Sequence, residues 1–170
     1  MKNSKSPSSI GIGEIGVIKE EGTLTIYGLG SCVGLIFYDT RTKTAGIAHI
    51  LLPGPRLPQD FTNELPAKYG DEAIKALLKM VGMENSKDFF SLKAGIIGGA
   101  TIFSAAEDGP TAIGKRNVEE IRKQLEHLKI KVVWNETGGS AGRSVSFSLP
   151  SAELKIRTLS EGWKIVSEIK

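Results

Sequence analysis

The stretch Tyr27-Gly28-Leu29-Gly30-Ser31-Cys32-Val33-Gly34-Leu35-Ile36-Phe37-Tyr38-Asp39-Thr40-Arg41-Thr42-Lys43-Thr44-Ala45-Gly46-Ile47-Ala48-His49-Ile50-Leu51-Leu52 reads as two apolar runs around a polar turn. Each run is apolar and of strand length, so the two can pair as an antiparallel hairpin. A four-residue connection, Asp39 to Thr42, sets Cys32 opposite His49. A five-residue connection, Asp39 to Lys43, sets His49 opposite Val33. Both loop lengths are common. Directly opposed side chains lie about 4.5–5.5 Å apart at Cβ. A one-residue slip moves one of them to the other face unless a bulge intervenes.

Outward from the hairpin, Ile15 to Lys19 and Thr23 to Tyr27 read as strands, separated by the turn Glu20-Glu21-Gly22. Prolines at 53, 55 and 58 end the strand run. Tyr69 to Val81 reads as an amphipathic helix, with Ala73, Ile74, Leu77, Leu78 and Val81 on one face. Leu92 to Ile97 reads as a buried strand. Lys115 to Leu128 is a second helix, with Val118, Ile121, Leu125 and Leu128 inward. Ile130 to Trp134, Ser144 to Leu149, Leu154 to Thr158 and Trp163 to Ile169 read as strands. Many strands with two helices predict α/β layers. Residues 10–170 are read as one domain, and residues 1–9 as a disordered polar tail.

With 22 basic and 19 acidic side chains among 170 residues, net charge is +3. The charges are interspersed, which argues against a nucleic-acid partner. No apolar run approaches the roughly 20 residues that cross a bilayer, so no membrane insertion is expected. One cysteine cannot form an internal disulfide, and a free thiol suits a reducing cytoplasm. One cysteine and two scattered histidines make no zinc site, and no metal or cofactor is expected.

Cys32 and His49 are the chemical candidates. A thiol beside an imidazole is the minimum for cysteine nucleophilic catalysis. Gly28 and Gly30 permit a sharp turn and close substrate approach, and amides near Ser31 can form an oxyanion hole. The bland alternatives are an inert buried thiol and a core histidine bonded to backbone. His127 lies among charged helix neighbours and reads as solvated. Gly11-Ile12-Gly13-Glu14-Ile15-Gly16 matches a dinucleotide fingerprint but is followed by a strand, so it is set aside as chance. Gly95 to Thr101 reads as close packing or a cleft wall. Gly138 to Arg143 reads equally as a substrate-gripping loop or a solvated connection.

Gly28-Leu29-Gly30-Ser31-Cys32, with His49 seventeen residues on in Ala48-His49-Ile50-Leu51-Leu52-Pro53, resembles the CheD family of chemoreceptor glutamine deamidases. Lys68-Tyr69, Ile97-Gly98-Gly99-Ala100, Ile113-Gly114-Lys115-Arg116-Asn117-Val118, Glu136-Thr137-Gly138-Gly139 and Gly142-Arg143-Ser144 extend the resemblance, which covers roughly Ile10 to Arg157. It implies an αββα sandwich with mixed sheets and helices on the outer faces. It implies hydrolysis of glutamine side-chain amides in chemoreceptor cytoplasmic helices, and a CheC-type phosphatase partner. By matching position Cys32 is the nucleophile and His49 the base. The family's third member, a threonine six residues before the cysteine, falls on Ile26 here. Thr25 is adjacent but points to the opposite strand face. A backbone carbonyl is the other candidate for orienting His49. A non-catalytic adaptor and a receptor methylesterase using the same pair are the competing functions.

Overall fold

The computed structural model describes residues 8–102 and 112–168. Ten strands and two α-helices make up its regular structure: β1 (Ser8–Ser9), β2 (Ile15–Lys19), β3 (Gly22–Leu29), β4 (Val33–Asp39), β5 (Thr44–Ile50), α1 (Gly70–Met80), β6 (Leu92–Gly98), α2 (Ile113–His127), β7 (Lys131–Thr137), β8 (Arg143–Leu149), β9 (Glu153–Thr158) and β10 (Lys164–Glu168). Short 3-10 turns at Pro58–Asp60 and Ser86–Ser91 were not foreseen from sequence. The strands form two sheets of five, ordered β1-β3-β8-β9-β10 and β2-β5-β4-β6-β7. Both are mixed, because β1 runs parallel to β3 and β7 parallel to β6.

The expected tail ends earlier than predicted. Ser8 and Ser9 pair with Leu24 and Thr25, which corrects the reading of those two residues as disordered. Residues 1–7 lie outside the described residues.

Strands β4 and β5 are the centre of the molecule, and every one of their residues is buried. Residue parity explains why. Leu35, Phe37, Ala48 and Ile50 face α1 and α2, joining Ile74, Leu77, Ile121 and Leu125 in one core. Ile36, Tyr38, Ala45 and Ile47 face the other sheet, joining Leu24, Ile26, Val145 and Phe147 in a second core. The predicted layered α/β sandwich is present. Both described α-helices cover the same outer face, so the layers run α-β-β, and the helix layer expected on the other outer face is not seen among the described residues.

The β4–β5 register matches neither of the two expected pairings. Asp39 pairs with Thr44, leaving Thr40 to Lys43 as the turn, and His49 lies opposite Gly34. The turn chemistry accounts for this. The Asp39 carboxylate accepts from the Arg41 amide at 3.0 Å and the Thr42 hydroxyl at 2.6 Å. Lys43 closes the turn with φ +55°. An aspartate that bonds the backbone two residues on starts a turn.

The inter-sheet core is sealed by aromatic rings. Phe147 packs against Tyr38 at 5.5 Å and Trp134 at 5.6 Å between centroids. Phe147→Ala is expected to lower unfolding stability by about 3–5 kcal/mol, since a buried ring leaves a large cavity. Urea unfolding followed by circular dichroism measures it.

Candidate active site

Cys32 sits one residue before β4, at the end of the loop that leaves β3. That loop begins where the β3–β8 register shifts between Ile26 and Leu29. Gly28 holds φ +71°, a left-handed conformation that favours glycine, and its amide donates to the Ser144 hydroxyl at 3.1 Å. The chain then turns through Gly30 and Ser31 into β4.

Because His49 opposes Gly34, Cys32 is its diagonal neighbour on the same face. Diagonal positions lie about 7–8 Å apart, within reach of long side chains. The register thus differs from the sequence expectation but leaves both side chains pointing between the sheets. Cys32 is 8 % exposed and His49 4 %. Ile26 packs over the pair from the facing sheet, its Cδ1 3.3 Å from where a Cβ on Gly34 would lie.

The imidazole is held by one bond. Its Nδ1 lies 3.2 Å from the Ile10 carbonyl, and a carbonyl only accepts, so Nδ1 carries the proton. Nε2 is then the lone-pair nitrogen. It is buried and has no hydrogen-bond partner among the described residues. Ile10 is itself anchored, its amide donating to the Thr25 carbonyl at 2.9 Å. The Thr25 side chain, in contrast, has the parity of Thr23 and not of Leu24 and Ile26, so the structure does not bring its hydroxyl to His49. The backbone carbonyl, and not Thr25, orients the ring. Ile10 escaped the sequence reading because a carbonyl leaves no side-chain signature.

Burial pushes the Cys32 thiol up. Burial also pushes His49 below the usual histidine range, opposed by the Ile10 carbonyl and the Glu14 carboxylate. Both shifts favour the uncharged forms, thiol and neutral imidazole. Among the described residues no cluster of His, Cys, Asp or Glu has the make-up of a metal site.

A cleft of about 700 Å³ opens beside the loop, lined by Gly28, Gly30, Ile102, Arg143, Arg157 and Leu159 among others. The Arg143 guanidinium donates to the Glu136 and Gly138 carbonyls, fixing the connection that crosses between sheets. Of the Gly138 to Arg143 segment, Gly142 and Arg143 line the cleft. Gly11 to Gly16 forms a turn leading into β2, without the helix a dinucleotide site requires. His127 is exposed, as expected.

The fold is a two-sheet sandwich with a thiol and an imidazole facing its interior beside a glycine turn. The model of the CheD family, described as CheD chemotactic sensory transduction, matches residues 51–158. The chain belongs to the CheD family. It is 40 % identical to a chemoreceptor glutamine deamidase CheD of Halalkalibacterium halodurans, covering 91 % of this chain and 95 % of that one. It is 39 % identical to the protein of the same name from Bacillus licheniformis, over 90 % of each chain. It is 36 % identical to a probable chemoreceptor glutamine deamidase CheD of Pyrococcus horikoshii, over 94 % of this chain and 96 % of that one. The solved structure of Neisseria meningitidis protein NMB0706, of family model DUF152, overlaps 75 % of this chain and 54 % of that chain, with a TM-score of 0.40 and 12 % identity.

The depressed His49 value gives a pH prediction. The unfolded chain binds the proton first, so the His49 contribution to stability is complete above about pH 6.5 and is lost as pH falls towards the lower folded value. His49→Gln is expected to flatten that acid slope, measured by urea midpoints from neutral to mildly acid pH. The raised Cys32 value predicts an iodoacetamide alkylation profile with its midpoint above about 8.5, the ordinary thiol value. A midpoint near neutrality would mean a resting thiolate–imidazolium pair instead.

Proposed function

We propose that this chain hydrolyses glutamine side-chain amides of chemoreceptor cytoplasmic helices, giving glutamate and ammonia, with Cys32 as nucleophile and His49 as general base. One observation carries the assignment of roles: the unpaired, buried Nε2 of a His49 whose other nitrogen is committed to the Ile10 carbonyl, facing the same interior as Cys32. The names of the relatives supply the substrate class.

His49 Nε2 takes the proton from the Cys32 sulfur. The thiolate bonds to the amide carbon, and the carbonyl electrons move to oxygen. His49 returns the proton to the nitrogen, the C–N bond breaks, and ammonia leaves a thioester. Water then loses a proton to His49 and bonds to the thioester carbon. The C–S bond breaks, glutamate is released, and Cys32 recovers its proton. Charge develops only while substrate covers the site, where low dielectric strengthens each interaction. Gly28, Gly30 and Ser31 form the approach to the nucleophile. The reaction takes place in the cytoplasm, with a CheC-type phosphatase as partner, a reading that rests on family resemblance.

Mass spectrometry of a receptor cytoplasmic fragment tests this. The amide-to-acid mass increase at glutamines is expected with wild type and absent with Cys32→Ala. His49→Gln is expected to lower kcat by about 10²–10⁴, the range for losing a general base. Methanol release from a methylated receptor without ammonia release would replace this reading with methylesterase action. Receptor binding without either product would leave an adaptor.

Ile26→Thr places a hydroxyl at the position the family resemblance gives to threonine. Since the Ile10 carbonyl already occupies Nδ1, this variant is expected to lose core stability without gaining kcat. A rise in kcat would show that the carbonyl is an incomplete substitute.

A further inference from the structure

Asn117 has no part in the chemistry above. It lies on α2 beside Val118, on the face that packs onto the sheet, and it is fully buried. A buried asparagine in a helix is costly unless its amide is bonded. Here Nδ2 donates to the Ser31 carbonyl at 2.9 Å and to the Leu51 carbonyl at 3.0 Å. Ser31 immediately precedes Cys32, and Leu51 follows His49 by two residues. One side-chain amide therefore ties the nucleophile loop to the strand that carries the base.

The Gly98-Gly99-Ala100 segment holds the same loop from β6. The Gly99 amide donates to the Cys32 carbonyl and the Ala100 amide to the Gly30 carbonyl, both at 2.9 Å. Three successive carbonyls, of Gly30, Ser31 and Cys32, are thus engaged by the body of the protein. Close approach of α2 makes this possible. A Cβ on Gly99 would lie 2.4 Å from Val118 Cγ2, and one on Gly114 would lie 2.5 Å from the Ala100 oxygen.

A trans peptide points its C=O and N–H in opposite directions. Drawing the Ser31 carbonyl towards α2 turns the Cys32 N–H away from it. That N–H meets no backbone acceptor among the described residues. An amide held in place on the nucleophile itself, with no backbone acceptor, is a candidate oxyanion donor.

We propose that Asn117 is a positioning residue for deamidation: it locks the Ser31–Cys32 peptide so that the Cys32 amide receives the oxyanion formed when sulfur bonds to the glutamine amide carbon. This rests on the deamidase reading above. Asn117 exchanges no proton and touches no reacting atom. Its work is to stop the peptide plane from rotating and to keep the loop in register with His49.

The test compares wild type, Cys32→Ala, N117L and N117D on the receptor fragment, alongside alkylation of Cys32 by iodoacetamide. Alkylation displaces iodide from a saturated carbon and develops no oxyanion, so it separates positioning from general damage. For folded variants, kcat is expected to fall by about 10²–10³, the effect of one oxyanion donor, with KM and the alkylation rate unchanged. A kcat within about tenfold of wild type overturns the inference, being below the effect of one such donor. So does a parallel loss of kcat and alkylation, which would make Asn117 a structural stitch only. If Cys32→Ala keeps wild-type activity, or wild type deamidates nothing, the deamidase reading fails and the inference falls with it. Should neither variant fold, hydrogen exchange of the wild-type Asn117 side-chain amide decides. Slow exchange of both protons supports the clamp, and exchange as fast as an exposed asparagine overturns it.

Discussion

The β4–β5 register is the constraint on which the rest depends. Because side-chain direction alternates with period two, the register alone decides whether Cys32 and His49 share an interior or face opposite layers. Asp39 sets it by bonding the Arg41 amide and Thr42 hydroxyl, so that the turn spans Thr40 to Lys43. A third bond to Asp39, from the Ser91 hydroxyl at 2.7 Å, ties the turn to the chain entering β6. The hairpin is buried on both faces, so a one-residue slip would exchange the residues of two cores at once. That penalty guards the site as well as the fold.

Placing the pair between two sheets has an electrostatic consequence. Both groups are desolvated, which favours the uncharged form of each. Burial thus disfavours separated charge on the pair. The cost is polar atoms left without partners. His49 Nε2 and Asn117 Oδ1 are both buried and unpaired. Each such atom is worth about 1–3 kcal/mol of destabilisation. The two continuous apolar cores offset it, one under the helices and one between the sheets.

The nucleophile loop shows how backbone groups can be sorted by partner. Its carbonyls are occupied by Asn117, Gly99 and Ala100, while the Cys32 amide meets no backbone acceptor among the described residues. The same economy orients His49: the Ile10 carbonyl fills one ring nitrogen and leaves the other open. In both cases the partner comes from an element distant in sequence and adjacent in the fold.

The sequence by itself determined the elements and the chemical candidates. Apolar runs of strand length and helical stripes such as Ala73, Ile74, Leu77 and Leu78 place β4, β5, α1 and α2 to within a few residues, because hydrophobic period reflects which faces are buried. The lone thiol, the lone strand histidine and the glycine turn are visible as residue types. A polar Asn117 within the apolar stripe of Val118, Ile121 and Leu125 was also a legible signal, since an amide on a core face needs a partner. Tertiary structure alone decided the hairpin register, the choice of the Ile10 carbonyl over Thr25, and the partners of Asn117. Those depend on turn hydrogen bonds and on backbone groups that every residue carries alike, so no residue identity announces them.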